Sequence, residues 1–245
     1  MGEKPISRED KTNSEITHIK RLMELFELGL GNTRRTIGYH GTSIESMQYL
    51  IRTGHLPGAV GENIAASPEN SWLPQKGDLY FYPLKSKFPG YDPDISKYFP
   101  DETHVIDSVV GYASDIAESH CFLMKLGLGL DNLEYNIGAR NLMCGMFRNE
   151  IREFKEKLIS IGINNADIDQ AVKEAKKRKG IILGLSTTLL RQYQPKDGDK
   201  HEGDLRFTFP KGLDYKYISG LEPLGEEEFN FFKNLWSKKR STGKR

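Results

Sequence analysis

The sequence predicts an α+β domain whose sheet is antiparallel or mixed. Helical and strand-like segments follow one another in an irregular order, without the repeated strand–helix–strand units of a parallel sheet. The sequence contains no internal repeat. A helical stretch at about 127–179 separates the strand candidates into two groups. These observations favour one sheet with flanking helices and a helical insertion.

Length and charge narrow the classes of partner. The 245 residues suit one large domain or two small ones, and 37% apolar with 28% charged residues is ordinary for a soluble protein. Lys and Arg number 35 against 34 Asp and Glu, so the net charge is +1 and no overall field attracts nucleic acid or a membrane surface. No apolar run approaches the length of a membrane-spanning helix. We therefore expect neither a membrane nor nucleic acid as a partner.

The ends of the chain are polar. We expect residues 1–13 to be a disordered leader, 14–237 to form a single domain, and 238–245 to be a basic tail. Two cysteines, Cys121 and Cys144, are too few for a disulfide framework, which indicates a reducing compartment such as the cytosol. Both lie in apolar segments and are expected to be small buried residues.

Apolar spacing and the positions of Gly and Pro predict the individual elements. In chain order they are a helix at 14–30, a strand at 36–40, a helix from Thr42 to Gly54, a loop at 55–76, a strand at 78–82, a loop at 84–104, a helix at 106–126, helices within 139–179, strands at 180–185, 204–209 and 217–221, and a helix at 226–236. A long loop such as 55–76 is often functional. The basic cluster 173–179 is expected to be a solvated helix face.

His40 is predicted to occupy a strand-to-helix corner. Thr42 and Glu45 have the spacing of a capping box, so the second helix should begin directly after the first strand. A side chain at such a corner can face a cleft. His120, on the apolar face of the 106–126 helix, is expected to be a hydrogen-bonded core histidine.

Common catalytic motifs are absent from the sequence. It has no Walker loop, no glycine-rich dinucleotide fingerprint, no HExxH, no GxSxG and no CxxC. Three other segments combine aromatic and polar residues. They are Tyr39-His40-Gly41-Thr42, the pair Tyr80-Phe81-Tyr82 and Gly111-Tyr112-Ala113, and His201-Glu202-Gly203-Asp204 with Tyr217-Ile218 downstream.

In order and spacing, these segments resemble the diphtheria-toxin and poly(ADP-ribose) polymerase branch of the ADP-ribosyltransferases, which carries a His-Tyr-Glu signature. The resemblance covers roughly 36–125 and 180–225 and leaves the helical insertion unmatched. It implies a split antiparallel or mixed β core. It also implies that the catalytic residues are His40, Tyr112 and Glu202, and that the residues contacting NAD⁺ are His40, Gly41, Thr42, Tyr80 and Tyr112.

Two assignments within the resemblance stay open. The gap between Tyr80 and Tyr112 is longer than usual for the family. The rivals for stacking on nicotinamide are therefore Tyr82, Tyr91 and Tyr98. The rivals of Glu202 as the essential carboxylate are Asp199, Asp204 and Glu222.

The implied reaction breaks the bond between nicotinamide and ribose through an oxocarbenium-like transition state. Glu202 would bind the ribose 2′-hydroxyl and stabilise the developing positive charge. Tyr112 and Tyr80 would stack on the cationic ring. Gly41, which has no side chain, would let the carboxamide approach the backbone, and His40 would donate to ribose hydroxyls.

The resemblance thus implies a mono-ADP-ribosyltransferase that uses NAD⁺ as substrate, needs no metal and modifies a protein side chain. It also allows a bacterial toxin or effector that acts in a host cytosol. Three alternatives remain open: transfer to water or nucleic acid, a 2′-phosphotransferase acting on RNA, and a binding module without catalysis. We expect the insertion to contact the protein substrate.

Overall fold

Helices and strands alternate irregularly along the chain, as the sequence predicts. The structure is a computed structural model that describes residues 8–31, 33–58, 77–88, 102–130, 132–197 and 204–242. The helices of these ranges are α1 Arg8–Leu28, α2 Ile44–Thr53, α3 Glu102–Lys125, α4 Leu133–Cys144, α5 Arg148–Ser160, α6 Asn165–Ala175 and α7 Glu226–Thr242. The strands are β1 Thr36–Thr42, β2 His55–Leu56, β3 Asp78–Pro83, β4 Ile181–Ser186, β5 Lys196–Asp197, β6 Leu205–Thr208, β7 Leu213–Asp214 and β8 Ile218–Pro223. The α+β class is confirmed.

Six strands form the main sheet, in the order β5-β6-β3-β1-β4-β8. Every described pair in it is antiparallel. The short strands β2 and β7 form a separate antiparallel pair. The strands that precede the insertion, β3 and β1, are therefore adjacent in the sheet and are flanked on both sides by strands that follow it.

Helices cover both faces of the main sheet. On one face, α1, α2 and α7 contribute to a core that also contains Phe81, Leu183 and Phe207 from the strands. On the other face, Val105 and Val109 of α3 pack with Tyr39 of β1. Both faces of β1 are therefore buried, and all seven of its residues are buried.

The second helix begins one residue later than predicted. Ser43 is its N-cap, because the Ser43 hydroxyl accepts a hydrogen bond from the Ser46 amide at 3.2 Å. Thr42 remains in β1, where it pairs with Ile181 of β4. The helix ends at Gly54, whose φ of 78° suits a left-handed cap.

Both terminal helices are longer than predicted. Helix α1 begins at Arg8, so 8–13 is helical rather than part of a disordered leader. Helix α7 extends to Thr242 and includes the first residues of the expected basic tail. Apolar spacing cannot detect these turns because they are polar. The available signal is charge, since acidic residues at the start of a helix and basic residues at its end interact favourably with the helix dipole. Residues 1–7 and 243–245 lie outside the described residues.

The predicted insertion contains three helices, α4, α5 and α6. Their buried residues, including Ala139, Phe154 and Leu158, pack against Cys121 and Phe122 of α3. The insertion and the C-terminal half of α3 therefore share one apolar core. Among the described residues, no helix has both the length and the apolar character needed to cross a membrane.

The two cysteines differ from each other. Cys121 is buried in the core shared by α3 and the insertion, as predicted. Cys144 is exposed, which corrects the prediction that both are buried. It is the last residue of α4, directly before the Gly145 cap, where the helix reaches solvent.

Candidate active site

The described pairing of β1 with β3 covers two positions. Their paired residues are Gly38 with Pro83 and Tyr39 with Tyr82. At the next position, the imidazole Nδ1 of His40 lies 2.6 Å from the carbonyl oxygen of Tyr80. The His40 side chain thus bridges the two strands where their backbone pairing stops. His40 lies inside β1, two residues before its end, rather than at the predicted corner.

The Tyr80 contact determines which nitrogen of His40 carries the proton. Burial lowers the pKa of His40 from 6.5 to about 4, although the hydrogen bond to the Tyr80 backbone raises it in part. The imidazole is therefore neutral at pH 7. A carbonyl oxygen can only accept, so Nδ1–H donates to Tyr80 and Nε2 is left as an acceptor. This reverses the expected role of His40 as a donor, because a hydroxyl that binds Nε2 has to supply the proton.

Helix α3 brings Tyr112 close to His40. The ring centroids of Tyr112 and His40 are 6.3 Å apart. Tyr82 contacts Tyr112 edge-on, with centroids 6.0 Å apart. The structure thus joins two of the predicted catalytic residues and places Tyr82, one of the rival stacking candidates, against Tyr112. Tyr91 and Tyr98, the other stacking candidates, lie outside the described residues.

Gly41 sets the distance between β1 and α3. A Cβ atom added at Gly41 would lie 2.7 Å from both the Cα and the backbone nitrogen of Ala113. Only a glycine permits this approach, and Ala113 is the neighbour of Tyr112. Gly41 therefore has a packing role that the sequence did not reveal, in addition to the expected contact with a carboxamide.

The phenol of Tyr80 belongs to a polar cluster between β3 and β6. Tyr80 lies opposite Arg206 in the strand register, and Arg206 Nη1 is 3.3 Å from Asp78 Oδ2. The Thr208 hydroxyl donates to Asp78 Oδ1 at 2.7 Å. Burial raises the pKa of Tyr80, the Arg206 hydrogen bond opposes this rise, and the negative charges of Asp78 and Asp204 add to it. The backbone of Tyr80 thus contacts His40, while its phenol contacts Arg206.

Carboxylates lie beside this cluster. Glu202, the predicted catalytic residue, and its rival Asp199 lie outside the described residues. Asp204 directly precedes β6, is buried, and acts on the charge state of Tyr80. Glu222 is exposed on β8, and β4 separates it from β1. Of the two described rivals, only Asp204 therefore contributes to the surroundings of Tyr80.

Two other residues lie near His40, of which Thr42 is buried and His120 is partly buried. Thr42 is 2% exposed at the end of β1, which leaves its side chain little surface for a ligand. His120 of α3 lies with Nδ1 2.8 Å from the Ser43 hydroxyl, so the prediction of a hydrogen-bonded histidine is confirmed. Burial, followed by the influence of His40, lowers the pKa of His120 to about 4. Both imidazoles are therefore neutral at pH 7.

Arg140 is the site neighbour that sequence reasoning missed. Its guanidinium carbon lies 5.4 Å from the Tyr112 ring centroid. Arg140 belongs to α4 of the insertion, for which the family resemblance has no counterpart. No motif in the sequence points to it, because the contact arises only when α4 packs beside α3.

Comparisons with protein-family models, with curated proteins and with solved structures found no match. Within the described ranges, no group of three or more His, Cys, Asp or Glu is arranged to hold a metal ion.

Proposed function

We propose that this protein is a mono-ADP-ribosyltransferase that cleaves NAD⁺ and transfers ADP-ribose to a protein side chain. The observation that carries the proposal is the meeting of His40, Tyr112 and the Tyr80 backbone where the described pairing of β1 with β3 ends. These residues are far apart in the sequence, and they are the ones that the His-Tyr-Glu resemblance selects.

His40 and Tyr112 suit a neutral recognition site for a ribose and a flat ring. The Nε2 atom of neutral His40 can accept a hydrogen bond from a ribose hydroxyl. The Tyr112 ring offers an aromatic surface for nicotinamide. Nicotinamide leaves NAD⁺ as a neutral molecule, so the cleavage needs no general acid. The remaining requirement is a negative charge near the oxocarbenium-like centre.

Glu202 supplies this charge in the proposal. It lies two residues before Asp204, whose carboxylate is close enough to Tyr80 to affect its pKa. Asp204 is therefore the described rival for the same task. The chemistry distinguishes the two residues, since only the carboxylate that contacts the ribose lowers the barrier to cleavage.

The test uses the full chain and three charge-removing variants: Glu202→Gln, Asp204→Asn and, as a matched control, the exposed Glu222→Gln. Each protein is incubated with NAD⁺ labelled in the adenosine part and with a eukaryotic lysate, and free nicotinamide and labelled protein bands are both measured. We expect labelled protein with the wild type, a rate lower by about 10²–10³ with Glu202→Gln, and no change with Glu222→Gln. Thermal unfolding confirms that each variant is folded.

The outcomes separate the alternatives. Activity lost in Asp204→Asn but retained in Glu202→Gln would move the catalytic role to Asp204. Nicotinamide release without labelled protein would indicate water as acceptor, and label on RNA or DNA would indicate a nucleic-acid acceptor. If the wild type consumed no NAD⁺, the enzymatic proposal would be wrong and a binding module would remain.

A further inference from the structure

Phe147, which lies between α4 and α5, departs from two local preferences. Its φ of 59° and ψ of 65° are left-handed, and among the described residues it is the one non-glycine residue with a positive φ. This backbone conformation is unfavourable for a bulky side chain. Phe147 also occupies the N-cap position of α5 without a side-chain hydrogen bond, whereas Asn, Asp, Ser or Thr there would bind a free amide of the first turn. Neither property helps the single chain to fold.

Exposed apolar residues lie at both ends of α5. Met146 and Phe147 at its start are 53% and 57% exposed. Ile159 and Ile161 at its end are 46% and 49% exposed. Burial within the chain therefore does little to offset the unfavourable backbone of Phe147. Strain at an exposed apolar residue indicates a contact that is made outside the single chain.

The exposed face of α5 between these ends carries charges of both signs. Arg152 and Glu156 are exposed and lie one turn apart on the same face of the helix. Neither forms an ion pair with another described residue. A uniformly acidic surface, such as an anionic membrane, would attract Arg152 and repel Glu156. The surface that complements both residues is one that carries the same two charges in the opposite order.

A second copy of α5 in antiparallel orientation has this order of charges. In a two-fold symmetric pair, Arg152 of each copy lies opposite Glu156 of the other, so two ion pairs form. Phe147 lies five residues before Arg152. Ile161 lies five residues after Glu156. The register that pairs the charges therefore also brings Phe147 of each copy to the level of Ile161 of the other, close to Ile159.

We propose that two copies of this chain form a symmetric dimer through antiparallel α5 helices, with the Arg152–Glu156 pairs at the centre and the apolar residues at the two ends. The inference does not depend on the proposed function, and it assigns the exposed face of the insertion to self-association. One helix per copy is a small contact for a specific complex, so we expect a dissociation constant of about 1–100 µM. The dimer should therefore form at high protein concentration and separate on dilution.

Sedimentation velocity of the full chain at about 1–300 µM measures this dissociation constant. The charge test compares the wild type with Arg152→Glu, Glu156→Arg and the double variant that carries both changes. Each single change places like charges opposite each other in both pairs, so the dimer should weaken by at least about tenfold. The double variant restores opposite charges in the same register and should return to within about threefold of the wild type. The control Arg52→Glu, at an exposed position of α2, should leave the dimer unchanged.

A further variant, Phe147→Asn, separates the interface from the fold. Asn tolerates the left-handed backbone and can cap α5, so the single chain should be at least as stable in urea as the wild type. The dimer should nevertheless weaken by at least about tenfold, because each copy loses an apolar anchor. A weaker dimer of a chain that is no less stable cannot result from misfolding.

Three results would overturn the proposal. The first is a wild type that stays monomeric up to about 300 µM. The second is a dimer that neither Arg152→Glu nor Phe147→Asn weakens, because the contact would then lie elsewhere on the chain. The third is a double charge variant that does not recover, which would contradict the antiparallel register. None of these results bears on the NAD⁺ cleavage that is measured with Glu202→Gln.

Discussion

In the folded chain, the His40 imidazole exchanges water for the backbone carbonyl of Tyr80 and becomes a neutral group with a single acceptor nitrogen. His120 on the facing helix is similarly neutral and bonds to Ser43. The identity of a residue does not determine its charge or tautomer, because burial and the partner of each ring nitrogen decide them. The two histidines should therefore make the stability of the protein depend on pH.

We expect the protein to lose stability as the pH falls from about 6.5 to about 4. In the unfolded chain, both histidines take up protons near their usual pKa of 6.5, whereas the folded state resists protonation until about 4. The unfolded state thus binds more protons in this window, and stability is fully present only above it. The loss should reach about 3 kcal/mol for buried His40 and less for His120, which is partly exposed.

Urea unfolding at pH 7.5, 6 and 5 measures this effect. The double variant His40→Asn, His120→Gln lacks both titrating rings and retains every carboxylate, so the difference between its pH profile and that of the wild type isolates the histidines. Parallel profiles for the two proteins would contradict the burial of neutral imidazoles.

At the scale of elements, the site depends on how closely α3 approaches β1. Gly41 and Ala113 are in backbone contact. Tyr112, which directly precedes Ala113 in α3, extends towards His40. On the other side of β1, the pairing with β4 continues from Thr36 to Thr42, so the strand cannot easily move away from the helix. Gly41 therefore determines how closely α3 can approach β1.

Gly41→Ala should destabilise the fold by about 1–3 kcal/mol, because the added methyl group meets backbone atoms that cannot rotate aside. The matched control is Gly111→Ala on α3. No atom lies within 4 Å of the added Cβ there, and the exposed helical position should gain up to about 1 kcal/mol from better helix propensity. Chemical denaturation of the two variants and the wild type checks both signs. Equal stabilities for the two variants would show that α3 does not press against β1.

For the whole molecule, the insertion is part of the packing rather than an appendage. Its three helices cover Phe122 and Leu123 of α3, which are fully buried. Deleting 127–179 would expose this surface, so a deletion cannot separate a contact with an acceptor from loss of the fold. Point changes in the shared core are a better probe of how the insertion and the sheet depend on each other.

Leu158→Ala, on α5, should cost about 2–5 kcal/mol and shift a single unfolding transition, because Leu158 is fully buried in the core shared with α3. Its neighbour Ile159 is 46% exposed, so Ile159→Ala should change stability by less than about 1 kcal/mol. Far-ultraviolet circular dichroism and tryptophan fluorescence follow the transition. A separate early transition confined to helical signal in Leu158→Ala would mean that the insertion unfolds as an independent unit.

Local patterns in the sequence were sufficient for the α+β class, the helical insertion and most elements. Apolar spacing located α2 and α3, and alternation with Pro83 located β3, because these signals depend only on neighbouring residues. The same patterns missed the two-residue strands β2, β5 and β7 and the polar first turns of α1, where no apolar periodicity exists.

The sequence indicated the separate segments of the candidate site but not how they come together. The sequence by itself pointed to His40 and Tyr112, whereas the tertiary structure placed their rings 6.3 Å apart and put Tyr82 and Arg140 against Tyr112. Strand pairing and helix packing join residues that are distant in sequence, and no local period encodes which of them meet. Protonation follows the same rule, because the burial that makes His40 neutral and the carbonyl that orients its ring exist only after folding.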